Sequence, residues 1–246
     1  MPPETSPDSA AGRFGALGEA ELQTLDRLLD SAEHTRWQGF YADRERACPF
    51  FVDAPDENLV EWLDRGLIAP GAALDLGCGN GRNAVHLAER GFTVQGVDLS
   101  AQALQWAGER AQRQGVVIEL LQASVFDRPP AVASLDLVYD SGCFHHIAPH
   151  RRQGYIRLLA HALRAGGLVG LVCFRPEGGS GWTDDEVYRR GSLGGGLGYT
   201  EADLRALWGE CFEIVELRCM HMQPAGSARF GLPSLWVMLA RLRQAP

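Results

Sequence analysis

The 246-residue sequence lacks any concentrated positive footprint. Basic side chains gather only at Arg151-Arg152 and Arg189-Arg190, and the formal net charge is −8. A duplex or other polyanion needs a clustered cationic surface, so a nucleic-acid partner is not expected. The six cysteines (Cys48, Cys78, Cys143, Cys173, Cys211, Cys219) form no C-x-x-C pair and no dense framework. A chain of this size needs no disulfide scaffold, and a reducing cytoplasm fits the scatter. The opening MPPETSPDSA has neither the basic segment nor the apolar core of a secretory signal, and no apolar run is long enough to cross a bilayer. No internal repeat is visible. What remains is ordinary globular composition, 46% hydrophobic and 22% charged, pointing to a cytoplasmic protein with one principal core.

Two regions are expected: an N-terminal extension and cap over 1–70, and an α/β domain over 71–246. Residues 1 to about 17, rich in Pro, Ser, Ala and Gly, read as a disordered start. Leu22, Leu25, Leu28 and Leu29 fall at helical spacing between Glu19 and Glu33. The next stretch packs Trp37, Phe40, Tyr41, Phe50 and Phe51 without clean periodicity, and PDENLVEWLDRGL then reads as a helix closed by Gly66. From Ala72, strands AALDLG, FTVQGVD, VVIELL, LDLVYD and GGLVGLVCF alternate with helices or returns, which implies parallel pairing through right-handed crossovers. Ser100 and Gly115 bracket one helix, another runs from about His150 to Arg164, and Thr200 caps a third. The last two strands, FEIVELRCM and SLWVMLAR, have no helix between them and suit an antiparallel pair closing the sheet. The glycine-rich segment 175–199 is long for a connection in a compact domain, and Trp182, Tyr188 and Gly194-Gly195-Gly196 are candidates for a substrate-side wall.

The stretch ALDLGCGNGRN, Ala73 to Asn83, ends a buried strand in glycines at every second position, with Asp75 just before them. Backbone without Cβ atoms can pass close to a ligand, and the following helix start presents N–H groups. Ligands of open α/β sheets lie outside the carboxyl ends of the strands, which here carry Asp98, Ser124 and Asp140. Gly79 to Ala84 also satisfies G-x-G-x-x-A, with Asp98 at a ribose-binding distance, so spacing alone leaves NAD open. Asp75 upstream of the glycines and the long aromatic cap before them favour a different nucleoside cofactor. Asp75 has a second reading as a capping group only.

DLGCGNG, followed by GVDLS and LDLVYDSGCFHHI, resembles the signature set of class I S-adenosylmethionine-dependent methyltransferases from about Ala72 to the end of the chain. Within that superfamily GNGRN resembles the tellurite-resistance enzymes, and VYDSGCFHHIAPHRRQGY the thiopurine and halide/thiol group. The resemblance implies a doubly wound, mostly parallel seven-stranded sheet, Rossmann-like, with its last strand antiparallel and a helical cap in front. It implies S-adenosyl-L-methionine as cofactor, with Gly77, Cys78 and Gly79 along the aminocarboxypropyl arm and Asp75 at its ammonium. Asp98 would accept from the ribose hydroxyls, Leu99 would lie against adenine, and Ser124 and Val125 would face its edge. Many relatives carry an acid where Ser124 stands, so that contact passes to Asp127 or to backbone. Asp140 would contribute its carbonyl or its carboxylate near the ammonium and sulfonium. Arg82, beside Asn83 at the helix start, either pairs with the ligand carboxylate or is a solvated helix residue.

The carboxylates at the strand ends match a sulfonium in sign. Methyl transfer needs a base only when the acceptor must lose a proton. His145 and His146 are the base candidates, with a structural or positioning role as their other reading, while His150 reads as a turn residue and no metal is expected. Tyr41, Phe50, Phe51 and Phe144 are candidates for an aromatic wall around the sulfonium, with core packing the alternative. Tyr41, Asp43, Arg44 and Arg46 are polar neighbours for a substrate. The expectation is a methyltransferase acting on a small molecule, a thiol or other soft nucleophile first. The alternatives are cleavage of another bond of the cofactor with release of methylthioadenosine, an NAD-dependent oxidoreductase, or a binding protein without turnover.

Overall fold

The computed structural model describes residues 17–29 and 33–244; the expected disordered start lies outside these up to residue 16. Seven strands form one sheet in the order β3-β2-β1-β4-β5-β7-β6. They are β1 (Ala72–Leu76), β2 (Thr93–Asp98), β3 (Glu119–Gln122), β4 (Leu135–Ser141), β5 (Leu163–Phe174), β6 (Phe212–Cys219) and β7 (Leu235–Leu242). The first five pair in parallel, and β7 runs antiparallel to both of its neighbours. This is the seven-stranded arrangement expected from the sequence. The strand order reverses at β1, which places the glycine turn at the switch point of the sheet.

Helices cover both faces. On one lie α3 (Glu57–Asp64), α4 (Arg82–Glu89) and α5 (Ala101–Gln114); on the other lie α6 (Arg152–Ala162) and α8 (Glu201–Trp208). Alternation along the strands sends Ala73, Leu137 and Tyr139 into a core with Leu59, Trp62 and Leu87. Leu74, Leu76 and Val138 go into a second core with Tyr155, Ile156 and Trp208. Local signals set the helix ends. The Ser100 hydroxyl accepts from the Ala103 N–H, Gly115 closes α5 in the left-handed region, and Thr200 forms a reciprocal capping box with Asp203.

Three elements differ from expectation. The aperiodic aromatic segment contains a helix, α2 (Glu33–Ala42), after a first helix α1 (Glu19–Leu29). Its aromatics Trp37, Phe40 and Tyr41 stand at i, i+3 and i+4 and pack on one another, but the spacing lasts little more than one turn. The glycine-rich segment contains α7 (Asp184–Arg190), started by a Thr183–Glu186 capping box. VVIELL contributes only a short β3, because Val117 is 91% exposed and stands outside the sheet. No helix among the described residues is long and apolar enough to cross a membrane.

Candidate functional site

The turn after β1 is built by short-range hydrogen bonds. The Cys78 N–H donates to the Val97 carbonyl at 3.0 Å, and the Gly79 N–H donates to Asp98 Oδ2 at 2.8 Å. The Ser100 N–H donates to Asp98 Oδ1 at 2.8 Å. Asp98 thus ends β2 with a backbone donor on each oxygen. Burial pushes its carboxyl pKa up, and the N–H groups of Ser100, Gly79 and Leu99 pull it back. Gly79 and Gly81 both have positive φ, +53° and +76°. A Cβ on Gly79 would stand 2.5 Å from the Tyr41 hydroxyl, and one on Gly81 would stand 2.7 Å from the Ala107 Cβ of α5. The turn therefore runs too close to its neighbours for any side chain. Cys143 lies against Gly77, and the Cys78 sulfur faces Gly96 on β2.

Asp75, on β1, is 2% exposed. Its Oδ2 has no hydrogen-bond partner, while the carboxylate also takes the Ala84 N–H at the start of α4. Burial pushes its pKa up to about 7, against the attraction of the Arg82 guanidinium. The helix-capping role therefore coexists with an orphaned buried oxygen. Asp140 is spent differently. Its Oδ1 accepts from the N–H groups of Cys143 and Phe144 at 2.8 and 3.2 Å, and its Oδ2 from the Tyr155 hydroxyl at 2.5 Å. Burial raises its pKa to about 6 against these donors. The carboxylate folds the turn beyond β4, so of its two expected contributions the carbonyl is the one left free of this work.

Arg82 and Asn83 point away from the open side of the turn. Arg82 pairs with Asp56 Oδ1 at 2.6 Å, donates to the Ala54 carbonyl and the Ser141 hydroxyl at 3.2 Å each, and lies over the Phe230 ring. Asn83 donates to Asp56 Oδ2 and accepts from the Asp56 N–H. Arg82 is buried, so the solvated alternative does not hold, and its guanidinium serves the cap.

The histidines separate. His145 is buried and stacked on Phe174 with centroids 3.8 Å apart, and its Nδ1 accepts from the Phe174 N–H at 3.3 Å. The proton of this neutral ring therefore sits on Nε2. Burial first, then neighbouring His146, holds its pKa well below the ordinary range. His146 packs edge-on to Trp37 at 4.7 Å, and its Nδ1 is buried without a partner. Burial, then the Arg36 charge, pushes its pKa down to about 3. His150 is no mere turn residue. Its Nε2 meets Asp26 of α1 at 2.8 Å and its Nδ1 meets the Tyr188 hydroxyl of α7 at 2.8 Å. Nothing in the sequence signalled a contact 124 residues long.

Tyr41 is buried against Phe51, with ring centroids 5.4 Å apart, and its hydroxyl reaches the main chain of Gly79. Burial, with the Asp98 charge next, pushes its pKa well above 10. Phe50 and Phe51 continue the layer, Phe51 reaching Trp106 of α5. Phe144 is turned into the core between Tyr199 and Trp208. Arg44 pairs with Glu109, and Arg46 lies over Phe40, so both brace the cap. Leu99 offers its carbonyl to Gln38 and Gln122. The Ser124 hydroxyl accepts from the Phe126 N–H, with Val125 buried beside it and Asp127 exposed.

Sequence reasoning missed Arg110. It is 4% exposed, donates to the Asn80 carbonyl and side chain, to the Val52 carbonyl and to Asp53, and so ties segment 52–53 and the glycine turn to α5. The signal was present: Ala103, Ala107 and Ala111 make a small-residue stripe with Arg110 on the same buried side.

The fold, the side-chain-free turn, the orphaned Asp75 oxygen and the acid ending β2 suit a nucleoside ligand with a cationic amino-acid arm. Residues 73–167 match a family model described as a methyltransferase domain. The chain is 34% identical over 203 residues to the ribosomal RNA small subunit methyltransferase C of Alcanivorax borkumensis, covering 71% of this chain and 62% of that one. It spans about half the length of several other curated relatives that it matches. Among solved structures, one concerned with conversion of a disulfide bond into a thioacetal group in echinomycin biosynthesis has a TM-score of 0.66 at 25% identity, covering 85% of this chain and 92% of that chain. The 1,6-didemethyltoxoflavin-N1-methyltransferase of Burkholderia thailandensis, solved with its substrate and S-adenosylhomocysteine, has a TM-score of 0.64 at 22% identity, covering 93% and 92%. Residues 73–167 thus match a methyltransferase domain, and the chain as a whole has the fold of S-adenosylmethionine-dependent methyltransferases.

Proposed function

We propose that this chain methylates a small molecule, and that its acceptor is a thiol or another nucleophile that ionises readily by itself. We infer that the cofactor is S-adenosyl-L-methionine, which when bound supplies an electrophilic methyl on a cationic sulfur. In this reading the main chain of Gly77 to Gly79 lies along its amino-acid arm, Asp75 faces its ammonium, and the Asp98 carboxylate accepts from the ribose hydroxyls. Leu99, Ser124 and Val125 border the base.

One observation carries the small-acceptor reading: α2 folds directly over the glycine turn, with the Tyr41 hydroxyl against Gly79 and the Trp37 ring against His146. A cofactor in the cradle requires Tyr41 to withdraw, and its return closes the reacting end from water. That enclosure suits a compact acceptor better than a polymer. The preference for a soft nucleophile follows from the neighbouring groups. His145 and His146 resist protonation and Tyr41 resists ionisation, so none of the three is poised to carry a proton at neutral pH. A thiol, with a pKa of about 8.5, needs little help. His146 Nδ1 serves as a hydrogen-bond acceptor that orients the substrate. The disulfide-to-thioacetal chemistry named for one structural neighbour supports a sulfur acceptor.

Incubation with cofactor and a panel of thiols, phenols, amines and a ribosomal RNA fragment tests this. Release of S-adenosylhomocysteine is expected with a thiol before the others. Turnover of RNA alone overturns the small-acceptor reading, and release of methylthioadenosine overturns methyl transfer.

A further inference from the structure

Three carboxylates are buried together on the inner side of the glycine turn: Asp56, Asp75 and Asp140 are at most 2% exposed. Arg82 is the cation among them. Its contacts come from three separate segments: Ala54 and Asp56 of the strap before α3, Ser141 at the end of β4, and Phe230 before β7. Asp75 is influenced from α4 by Arg82 and the Ala84 N–H, from the strap by Asp56 and from β4 by Asp140; the buried thiols Cys78 and Cys143 feel its charge. Of these groups only Arg82 and the Ala84 N–H favour the anion. Arg82 in turn feels Arg110 from α5, and acts on the phenols Tyr41 and Tyr139.

We propose that Arg82 is a positioning residue for cofactor binding: it clips the strap 54–56 to the start of α4 beneath the glycine turn and holds a guanidinium among the buried acids behind Asp75. The proposal rests on the assignment of Asp75 to the cofactor's ammonium given above. A carboxyl buried among two other acids carries no charge unless a cation offsets them. Arg82 offsets them from below the turn, which leaves the ligand side unobstructed. Direct pairing of Arg82 with the ligand carboxylate would instead strip Asp56, a fully buried acid, of its ion pair.

The test is the affinity for S-adenosylhomocysteine, measured by calorimetry between pH 6 and 8.5 on the full chain. In the wild type it rises as pH climbs through about 7, where Asp75 ionises. Asp140, pushed up only to about 6, is already titrating at the lower edge of this window, and the thiols ionise above it. Arg82→Met is expected to move the rise upward by about one pH unit, a loss of about fivefold at pH 7 that fades toward pH 8.5. Arg82→Lys is expected to keep the wild-type midpoint. If Arg82→Met does not fold, Arg82→Gln removes the charge while keeping a hydrogen-bonding side chain, and is expected to show the same displacement. An unchanged profile, or a uniform loss at every pH, overturns the proposal. Asp75→Asn separates the two layers: it is expected to bind weakly with no rise through pH 7. Wild-type affinity in that variant refutes the assignment of Asp75 itself, whatever Arg82 does.

Discussion

The glycine turn and the cap above it are held by opposite means. The turn is tied across 19 residues by Gly79 and Asp98, and across two by Ser100 and Asp98. The cap is tied across 83 residues by Asp56 and Tyr139, and across 124 by Asp26 and His150. Local hydrogen bonds give the turn its shape as soon as β1 and β2 pair. The cap is held by groups on the sheet and on segments far along the chain, so its place depends on the sheet being formed. A cradle that is fixed beneath a lid that is clipped suits a ligand that must enter, be enclosed and leave.

Breaking the turn has the largest expected effect. Gly81→Ala combines a positive φ with a Cβ 2.7 Å from Ala107 on α5 and 3.0 Å from that residue's backbone. It is expected to cost about 3 kcal/mol in urea unfolding, since backbone strain and overpacking add. Next comes Asp98→Ala. Loss of a charge-assisted acceptor is worth about 1.5–3 kcal/mol, so S-adenosylhomocysteine is expected to bind about ten- to a hundredfold more weakly by calorimetry.

Asp75→Asn sharpens the comparison through pH. Its folded pKa of about 7 lies above the unfolded value, so the Asp75 contribution to stability is complete below about pH 4 and is lost as pH rises through 7. The asparagine lacks this dependence. The difference in urea stability between variant and wild type, free of ligand, is expected to move in the variant's favour by up to about 1.4 kcal/mol per pH unit between pH 4 and 7. His146 acts with the other sign: its stabilisation is complete above the unfolded value and is lost as pH falls toward about 3. That shift is common to both proteins, so it cancels in the difference. A difference that does not change with pH would contradict the buried placement of the Asp75 carboxyl.

Breaking the cap has the smallest effect. His150→Ala removes the link between Asp26 and Tyr188, at an expected cost of about 1 kcal/mol. Hydrogen exchange is expected to quicken in α1 and α7 together, while affinity for S-adenosylhomocysteine stays unchanged. Faster exchange in the glycine turn would show that cap and cradle are not separable in this way.

The same contrast explains what was legible. Strand spacing, the glycines, Ser100, Gly115 and Thr200 act on neighbours a few residues away, so the sheet and its turn could be read from order and spacing. Asp98 at the end of β2 followed from the same logic. Helix α2 was missed although Trp37, Phe40 and Tyr41 stand at i, i+3 and i+4, because that spacing lasts little more than one turn before the aperiodic stretch to Phe51. Arg82 looked like a residue at the mouth of the turn, and its partner Asp56 comes from a segment that spacing does not connect to it. Phe144 looked like a wall of the site, yet the 3₁₀ turn after β4 rotates it into the core. The paired histidines were visible as a motif, but their suppressed basicity comes from burial, which only the folded chain defines.

The central claim is that the turn after β1 and the acid ending β2 grip a sulfonium cofactor. Titration of the full chain with S-adenosylhomocysteine, and separately with NAD, tests it most directly. One-to-one binding of S-adenosylhomocysteine that weakens in Asp98→Ala, with no heat from NAD, is the expected result. Binding of NAD without S-adenosylhomocysteine would contradict it.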